Sequence, residues 1–532
     1  MNRSLRVVVG CVAGAIVFGA AWGSLAAGAA ITLPGVFSDH MVLQRDMDVP
    51  VWGQSAPGEK VTVQFRNQAK AITAGADGKW MVRLSRLKAG GPDTLVVKGA
   101  SGTNAIMVQD VWVGEVWVGS GQSNMQMPVA NYVNGDEALA AAVAQAPYPR
   151  LRLLAIGSNA RWQEATSNNV NHFSALLFSF GLRVYQELDV PVGLMVGAVG
   201  GTPSGRWLSD EALRADASCQ PLIAKYAATY DQLQTNYAVK VAQWETNSAA
   251  AKQQGTALPA RPAPPARPGE VTPGKCGDLY EAYIRPAIPY GIRGVLWDQG
   301  ESGTDVGGVD QYTLMGALIR GWRKDWGQGD FPFIYVEKPS GGGCAWDPTN
   351  AVNCKGEAFE PLPASVPGDG SYVGLHIKIM QYPTTAMAIS SDLGPGTHPV
   401  NKFGYGHRAG DVALGIVYGR TIEYYGPVFE TCRIEGNKVR VRFTHVGQGL
   451  AFAHGEKLQG FAVAGADKVF QWADATVVAP KFPWQRADTI VIASAKVPQP
   501  VAVRYAWSSN RRWANLFNKD GLPALPFRTD EW

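Results

Sequence analysis

The sequence predicts a mixed α/β protein, in which a central domain with a parallel sheet lies between two β modules. In the middle of the chain, apolar strand patterns alternate with helix patterns, and this alternation is typical of a parallel sheet covered by helices on both faces. At both ends, short runs of alternating apolar and polar residues are separated by turn signals. The length of 532 residues agrees with about three domains.

From these patterns we divide the chain into three folded parts. An N-terminal β module covers residues 31–107, the central domain covers 108–427, and a C-terminal β-rich module covers 428–532. Insertions into the central domain are expected near 220–275 and near 340–370. Strands of the two modules are predicted at 49–53, 60–65, 79–84, 94–98, 439–443 and 489–493.

The central domain combines six strand candidates with three helix candidates. The strands are predicted at 111–118, 151–155, 192–198, 292–297, 331–336 and 386–390. The helices are predicted at 173–187, 309–326 and 401–418. Residues 249–274 are rich in alanine, proline and glutamine, so we expect a linker or surface loop there.

The composition is that of a globular protein and excludes several functions. Hydrophobic residues make up 46% of the chain and charged residues 17%, which excludes an intrinsically disordered protein. The formal net charge is +4, and the basic residues form no clustered stripe, so we expect no nucleic-acid partner.

The first 30 residues have the pattern of a cleaved targeting segment. Arg3 and Arg6 precede an apolar run over residues 7–22, and small residues follow at 26–30. This order is typical of a secretory signal peptide, and the run is shorter than the roughly 20 residues of a transmembrane helix. We therefore expect an exported protein, periplasmic or extracellular, without a membrane span after cleavage.

Export would place the remaining cysteines in an oxidising compartment, where disulfides form. Cys344 and Cys354 flank a short loop and are the favoured pair, and Cys219 and Cys276 are a second candidate pair that leaves Cys432 over. Connectivity does not follow from spacing, but we expect at least one disulfide in the exported protein.

Residues that can carry chemistry follow four of the predicted central strands. These loops contribute a serine at Ser123, a glycine pair at 200–201, an amide at Gln299 and a histidine at His398. Because ligands of doubly wound sheets bind beyond the carboxyl ends of the strands, the four loops should meet on one rim. Together these groups are the set that acyl transfer requires.

Ser123 is the candidate nucleophile. Gly121 permits a tight turn from the strand that would expose the hydroxyl. The motif is not G-x-S-x-G, because Met125 stands where the second glycine would be, and this argues against an α/β-hydrolase. The alternative is a loop serine that caps the following helix.

The candidate base is one of seven histidines. His398 is favoured because it lies in one of the four loops, just before a predicted helix start, whereas the others lie in the β modules or elsewhere in the central domain. A third group should fix the tautomer of the base, and Asp392 is the only carboxylate close upstream. The alternative for Asp392 is a turn or capping role.

The oxyanion hole needs donors aimed at the oxygen that becomes negative. The backbone N–H of Ser123, the N–H of Gly200 or Gly201 and the side-chain amide of Gln299 are the candidates. Glu301 is a candidate organiser behind these groups, and the alternative is a charge on a surface loop.

Four segments together closely resemble the sialate O-acetylesterase family of SGNH (GDSL-like) hydrolases. They are Gly119-Ser120-Gly121-Gln122-Ser123-Asn124-Met125, Gly200-Gly201-Thr202, Trp297-Asp298-Gln299-Gly300-Glu301-Ser302 and Thr397-His398-Pro399. The likeness runs from about Leu33 to Asp530. It implies a flavodoxin-like three-layer α/β/α catalytic domain with β-sandwich-like accessory modules at both ends. It also implies that Ser123 is the nucleophile and His398 the base for removing acetyl groups from sugars, without a metal or another cofactor.

Three positions depart from the family pattern. Asp298 stands where the family often has tyrosine, and Gly303 stands where it often has asparagine. Gly396 stands where many members carry an acid, so Asp392 becomes the favoured candidate for the third group, which fixes the tautomer of His398. The first two departures would change the substrate pocket, so sialic acid and plant cell-wall glycans such as acetylated xyloglucan are near-equal expectations as substrates.

Two other functions compete with an esterase. A non-catalytic glycan-binding protein would use the β modules and the 17 tryptophans and would carry a decayed site. The joint presence of Ser123, Gln299 and His398 argues against decay. A peptidase or lipase would share the Ser–His chemistry, but no long apolar lid segment supports a lipase. The sequence leaves the oligomeric state open.

Overall fold

The structure, a computed structural model, describes residues 30–100, 105–272 and 274–532. The predicted signal peptide lies outside these residues apart from its last position. Among the residues described, no helix has both the length and the apolar character that crossing a bilayer requires.

In the described residues, strands and turns build the N-terminal and C-terminal modules, and further strands form the centre of the middle domain. The strands are β1 Val42–Gln44, β2 Val49–Gln54, β3 Lys60–Phe65, β4 Gln68–Thr73, β5 Lys79–Leu84, β6 Gly90–Lys98, β7 Ala105–Gly121, β8 Tyr148–Ala155, β9 Gln163–Ala165, β10 Val192–Ala198, β11 Gly294–Asp298, β12 Phe333–Val336, β13 Thr385–Ala388, β14 Val428–Glu435, β15 Lys438–Thr444, β16 Leu450–Phe452, β17 Phe461–Ala464, β18 Phe470–Trp472, β19 Asp474–Val477, β20 Thr489–Ala493, β21 Ala502–Tyr505, β22 Leu516–Asn518 and β23 Phe527–Arg528.

The helices lie between Ser123 and Ile416. The α-helices are α1 Ser123–Gln126, α2 Glu137–Ala144, α3 Ser167–Asn171, α4 Ala175–Leu188, α5 Asp210–Ala215, α6 Gln220–Ala227, α7 Tyr230–Gln254, α8 Asp278–Tyr283, α9 Gln311–Trp326, α10 Ser371–Ile379 and α11 Lys402–Ile416, and short 3-10 helices cover Val129–Asn131, Ser204–Trp207 and Arg285–Ala287.

The central sheet has the strand order β13-β12-β11-β7-β10-β8-β9. All neighbours from β13 to β8 are parallel, and only β9 joins its partner in the antiparallel sense. Helices α4 and α11 pack against each other and against strands β10, β12 and β13. The six central strands and three helices predicted from the sequence are therefore confirmed, with small shifts at their ends.

Strand β7 joins the N-terminal module to the central sheet. Its first half pairs antiparallel with β6 and alternates between exposed and buried residues, as expected where one face meets solvent. Its second half lies between β10 and β11 and is buried throughout, as parallel strands in a covered sheet are. The predicted border at 107/108 thus falls inside one continuous strand.

The largest difference from the sequence expectation is helix α7, which has 25 residues. It includes the first part of the stretch 249–274, where we expected a linker or loop. Only two of its residues, Ser248 and Ala251, are buried. Its apolar residues do not recur with the spacing of an amphipathic helix, so the sequence pattern did not indicate a helix there.

The C-terminal module has a hydrophobic core of its own. Its antiparallel strands form three sheets, with the orders β14-β15-β20-β19, β18-β17-β21-β23 and β16-β22. The apolar side chains of these strands make one buried cluster, separate from the cluster that fills the N-terminal module and the central domain. The strands predicted at 439–443 and 489–493 are confirmed as β15 and β20.

The predicted disulfide between Cys344 and Cys354 is not formed in the structure. All five cysteines of the described residues are free thiols, including the second candidate pair, Cys219 and Cys276. The Sγ atom of Cys344 lies 3.6 Å from the carbonyl oxygen of Ala514 in the C-terminal module. The Sγ atom of Cys354 instead contacts a carbonyl oxygen of its own loop, so the two thiols have separate partners.

Gly121, the last residue of β7, is expected to be essential for folding. Its φ is +131°, and a Cβ atom there would lie 2.0 Å from the carbonyl oxygen of Asp298. Gly121→Ala should therefore lower the free energy of unfolding by more than about 4 kcal/mol, or yield insoluble protein. The matched control is Gly327→Ala, since Gly327 also has a positive φ but no atom within 4 Å of the position that its Cβ would take.

Gly327→Ala should lower the free energy of unfolding by only about 1–2 kcal/mol, the usual penalty of a left-handed conformation. Denaturant unfolding of the two variants measures the difference. Equal losses in both would show that backbone conformation, and not the close approach to Asp298, accounts for the requirement.

Candidate active site

Ser123 begins helix α1, directly beyond the carboxyl end of β7. The backbone N–H of Gln122 donates to the carbonyl oxygen of Asp298 at 2.8 Å, which ties this turn to the end of β11. The Ser123 side chain is nearly buried, and its Oγ atom lies 2.7 Å from Nε2 of His398. The structure thus brings the predicted nucleophile and the predicted base into hydrogen-bond contact.

His398 lies in the loop between β13 and α11 and is exposed to solvent. The backbone on each side of it is held from the protein interior. The carbonyl oxygen of Thr397 accepts a hydrogen bond from Nδ2 of Asn124 at 3.0 Å. The carbonyl oxygen of Pro399 accepts one from Nζ of Lys402 at 2.7 Å.

The structure does not bring Asp392 to His398. The Asp392 carboxylate is fully buried and forms a two-pronged ion pair with Arg408 of helix α11, with contacts of 2.9 and 3.3 Å. It also accepts a hydrogen bond from Nδ2 of Asn353 at 3.3 Å. The expectation of a Ser123–His398–Asp392 triad is therefore wrong for this conformation, because a buried guanidinium takes the carboxylate.

Asp392→Asn is expected to change stability much more than activity. The substitution leaves Arg408 as a buried charge without a counter-ion, which typically costs about 3–5 kcal/mol. The Ser123–His398 contact does not involve Asp392, so kcat should fall less than about tenfold, against about 10⁴ for a true triad acid. Thermal unfolding and steady-state kinetics on the same preparation test both parts, and a kcat loss near 10⁴ with an unchanged Tm would restore the triad.

The three candidate oxyanion donors differ in how free they are. Within the described part of the chain, the backbone N–H of Ser123 has no hydrogen-bond partner. The N–H of Gly200 donates to Oε1 of Gln126 at 2.7 Å, although Gly200 lies close enough that a Cβ there would be 3.3 Å from the Ser123 Cβ. The N–H of Gly201, the alternative to Gly200, also has no partner in the described residues, so it and the Ser123 N–H are available without a rearrangement.

The amide of Gln299 is directed into the protein. The side chain is 1% exposed, and its Nε2 donates to the carbonyl oxygen of Gly303 at 2.8 Å and of Thr202 at 3.4 Å. Its Oε1 accepts a hydrogen bond from Gln311. In this conformation Gln299 ties the 200–202 loop to the loop after β11, instead of presenting a free donor beside Ser123.

Glu301, the candidate organiser, lies behind the Ser–His pair and binds Asn124 and Lys338, two residues whose roles the sequence analysis did not predict. Its Oε1 accepts hydrogen bonds from Nδ2 of Asn124 at 3.1 Å and from Nζ of Lys338 at 2.7 Å. Lys338 also lies 2.7 Å from the carboxylate of Asp298, and both groups are fully buried. Burial opposes the charge of Lys338, but the two carboxylates outweigh it and raise the pKa of the ammonium group.

This network accounts for one departure from the family pattern. Asp298 is fully buried against Lys338, so it forms part of an internal ion pair and does not line an open substrate pocket. The adjacent His376 is buried as well, and burial lowers its pKa to about 3, with Lys338 adding to the effect. His376 is therefore neutral and adds no second charge beside the network.

Lys402 is a further buried cation that the sequence analysis did not single out. Its Nζ donates to Oδ1 of Asn124 at 2.8 Å and lies over the rings of Tyr132 and Tyr405, at 4.7 and 5.1 Å from their centres. Burial lowers the pKa of Lys402 to about 7. Its position four residues after His398, at the start of helix α11, was the available signal.

One group of potential metal ligands occurs in the described residues, and it lies far from Ser123. It consists of His40, Asp110 and Glu164. The guanidinium of Arg152 contacts both carboxylates, at 2.9 and 2.8 Å, so a protein cation already fills the group. Asp110 lies eleven residues before the end of β7, roughly 36 Å along the strand.

Known proteins resemble this chain over nearly its whole length. The sialate O-acetylesterases of Mus musculus and Homo sapiens are 27% and 26% identical to it, and each alignment covers 95% of this chain and 95% or 94% of the relative. A crystal structure of a carbohydrate acetylesterase from Xanthomonas citri superposes with a TM-score of 0.70 at 30% identity. That alignment covers 94% of this chain and all of the other. No family model matches the sequence.

A serine and a histidine in contact at the rim of a parallel sheet, together with these relatives, define the class. The protein is a carbohydrate O-acetylesterase, which is a carboxylic ester hydrolase. Within that class, the chain resembles the sialate O-acetylesterases over nearly its whole length.

Proposed function

We propose that this protein is an exported serine esterase that removes O-acetyl groups from carbohydrates through an acetyl-serine intermediate. The observation that carries the proposal is the 2.7 Å contact between Ser123 Oγ and His398 Nε2. The parallel central sheet with α4 and α11 packed on it supports a flavodoxin-like catalytic domain, and we include helices on both faces of the sheet, the three-layer arrangement, in the proposal.

In the proposed mechanism, Nε2 of His398 takes the hydroxyl proton of Ser123 while Oγ bonds to the carbonyl carbon of the acetyl group. The tetrahedral intermediate collapses as the bond to the sugar oxygen breaks, and that oxygen takes the proton from His398. Water, deprotonated by the same imidazole, then attacks the acetyl-serine. This step releases acetate and regenerates the Ser123 hydroxyl.

The backbone N–H of Ser123 is the first donor we assign to the oxyanion, because it opens helix α1 and has no partner in the described residues. Gly200 and Gln299 complete the proposed hole once each gives up a present partner. For Gly200 that partner is Gln126, and for Gln299 it is the longer contact, to Thr202 at 3.4 Å.

The substrate proposal follows the relatives, which are named for sialate O-acetyl esters and for carbohydrate acetate esters. We propose that this chain acts on acetylated sialic acid or on acetylated plant cell-wall glycans such as xyloglucan. Acetate release from a panel with both types and simple aryl acetates tests this. No acetate from any carbohydrate, with full activity on aryl acetates, would overturn the substrate proposal and leave the esterase chemistry intact.

Export rests on the N-terminal pattern of two arginines, an apolar run and small residues. Cell fractionation of the full-length chain, followed by N-terminal sequencing of the mature protein, tests this. Full-length protein confined to the cytosol would contradict it.

A further inference from the structure

We propose that Asn124 and Lys402 are positioning residues that hold His398 against Ser123 by binding the carbonyl groups on either side of it. This inference rests on the proposed role of His398 as the base. The two residues act through the backbone of the His398 loop and touch neither reacting atom of the Ser–His pair.

Asn124 and Lys402 form a clamp around His398, because each binds the carbonyl group on one side of that residue. Asn124 Nδ2 donates to the carbonyl oxygen of Thr397 at 3.0 Å, and Lys402 Nζ donates to that of Pro399 at 2.7 Å. The two clamp residues are joined to each other, because Lys402 Nζ also donates to Asn124 Oδ1 at 2.8 Å. Both side chains are fully buried, whereas His398 is exposed.

The clamp supplies one part of what a triad acid supplies, which is the placement of the base beside the nucleophile. In hydrolases with a Ser–His–Asp triad, a carboxylate on the second imidazole nitrogen fixes the orientation of the base. Here Asp392 is paired with Arg408, and within the described residues His398 has a side-chain hydrogen bond to Ser123 alone. An exposed imidazole without a carboxylate needs its backbone fixed, because an error of about 1 Å in placement can cost about 10² in rate.

The clamp is itself held in place by the charged residues Glu301 and Lys338 behind it. Asn124 Nδ2 shares its donors between Thr397 and Glu301, and Glu301 is held by Lys338. Asn124 follows the nucleophile directly, so one side chain connects Ser123, the Glu301 loop and the His398 loop. The arrangement couples the position of the base to that of the nucleophile.

The test uses the full chain with Asn124→Ala and Lys402→Met. Each should lower kcat for an aryl acetate by on the order of 10² while KM changes less than about twofold, because orientation of the base matters in the transition state and not in ground-state binding. If Lys402→Met is insoluble, Lys402→Gln replaces it, since a glutamine amide fits the buried position but lacks the length to reach both acceptors.

The matched control is Arg323→Met. Arg323 is also a buried cation, and its guanidinium donates to the carbonyl oxygens of Phe331 and Thr384 at 2.8 and 3.2 Å. Those carbonyls precede strands β12 and β13, so they lie at the amino ends of the strands, whereas His398 lies beyond the carboxyl end of β13. Arg323→Met should lower Tm and leave kcat unchanged.

A double-mutant cycle with His398→Ala separates positioning from a general structural effect. If the clamp acts through His398, adding Asn124→Ala or Lys402→Met to His398→Ala should lower the residual rate less than about twofold. A further loss of about 10² in rate when either substitution is added to His398→Ala overturns the proposal. Wild-type kcat in the single variants Asn124→Ala and Lys402→Met also overturns it. Both outcomes are distinct from failure of the proposed function, in which His398→Ala itself would remain active.

Discussion

Replacing Ser123 by alanine is expected to lower kcat for acetate release by on the order of 10⁶-fold while leaving the fold intact. Among the described residues, the Ser123 hydroxyl is the only group in hydrogen-bond contact with His398 Nε2 that can form the acetyl intermediate. The residue is nearly buried but donates to nothing that holds the fold together, so removing one oxygen should leave Tm within a few degrees. Steady-state kinetics and thermal unfolding of the purified variant measure both quantities.

Ser120→Ala is the matched control for this experiment. Ser120 is a buried serine of β7, three residues before the nucleophile, and its Oγ has no hydrogen-bond partner in the described part of the chain. Its loss should change kcat less than about twofold. If Ser123→Ala retained more than about a tenth of wild-type activity, another nucleophile would carry the reaction, since loss of a triad serine costs far more.

The meeting of Ser123 and His398 was predictable from the sequence because it follows from the topology of a parallel sheet. Strands β7, β10, β11 and β13 run in one direction, so the loops after their carboxyl ends must share an edge. Apolar runs bounded by glycine and polar residues located those strands without knowledge of the neighbouring side chains. The conclusion therefore needed only the order of the elements.

The role of Asp392 was not predictable in the same way. Proximity in sequence to His398 suggested a pair, but Arg408, sixteen residues further on, competes for the carboxylate from helix α11. A guanidinium binds a carboxylate through two parallel hydrogen bonds, which a single imidazole N–H cannot match. Which of two partners wins depends on the packing of α11 against the sheet, and no local pattern encodes that.

The buried network behind the site was missed for a related reason. Glu301 was named as a candidate organiser, but Lys338 and Lys402 lie on other elements, and a lysine in a sequence is ordinarily a solvent-exposed residue. Their burial becomes evident only when the strand ends and α11 converge on Asn124. Gly200 and Gln299 were placed in the correct loops, but their donors are engaged by partners that no sequence pattern indicated.

Replacing His398 by alanine is expected to reduce kcat nearly as far as replacing Ser123. A serine hydroxyl is a weak nucleophile until a base takes its proton, and Nε2 of His398, 2.7 Å from Oγ, is placed to do so. Because the two residues act as one unit, the double variant Ser123→Ala/His398→Ala should be no slower than either single variant, within about threefold.

The matched control is His407→Ala, which removes a second imidazole from the same region. His407 lies on helix α11, and its Nδ1 is 3.2 Å from the carboxylate of Asp411, so its loss should alter stability and leave kcat within about twofold.

Burst kinetics with an aryl acetate complete the test, since loss of the base should slow both formation and hydrolysis of the acetyl-serine. A His398→Ala variant that still formed the intermediate at the wild-type rate would mean that another group deprotonates Ser123. In that case Glu301, whose carboxylate is already held by Asn124 and Lys338 behind the site, would be the next residue to replace.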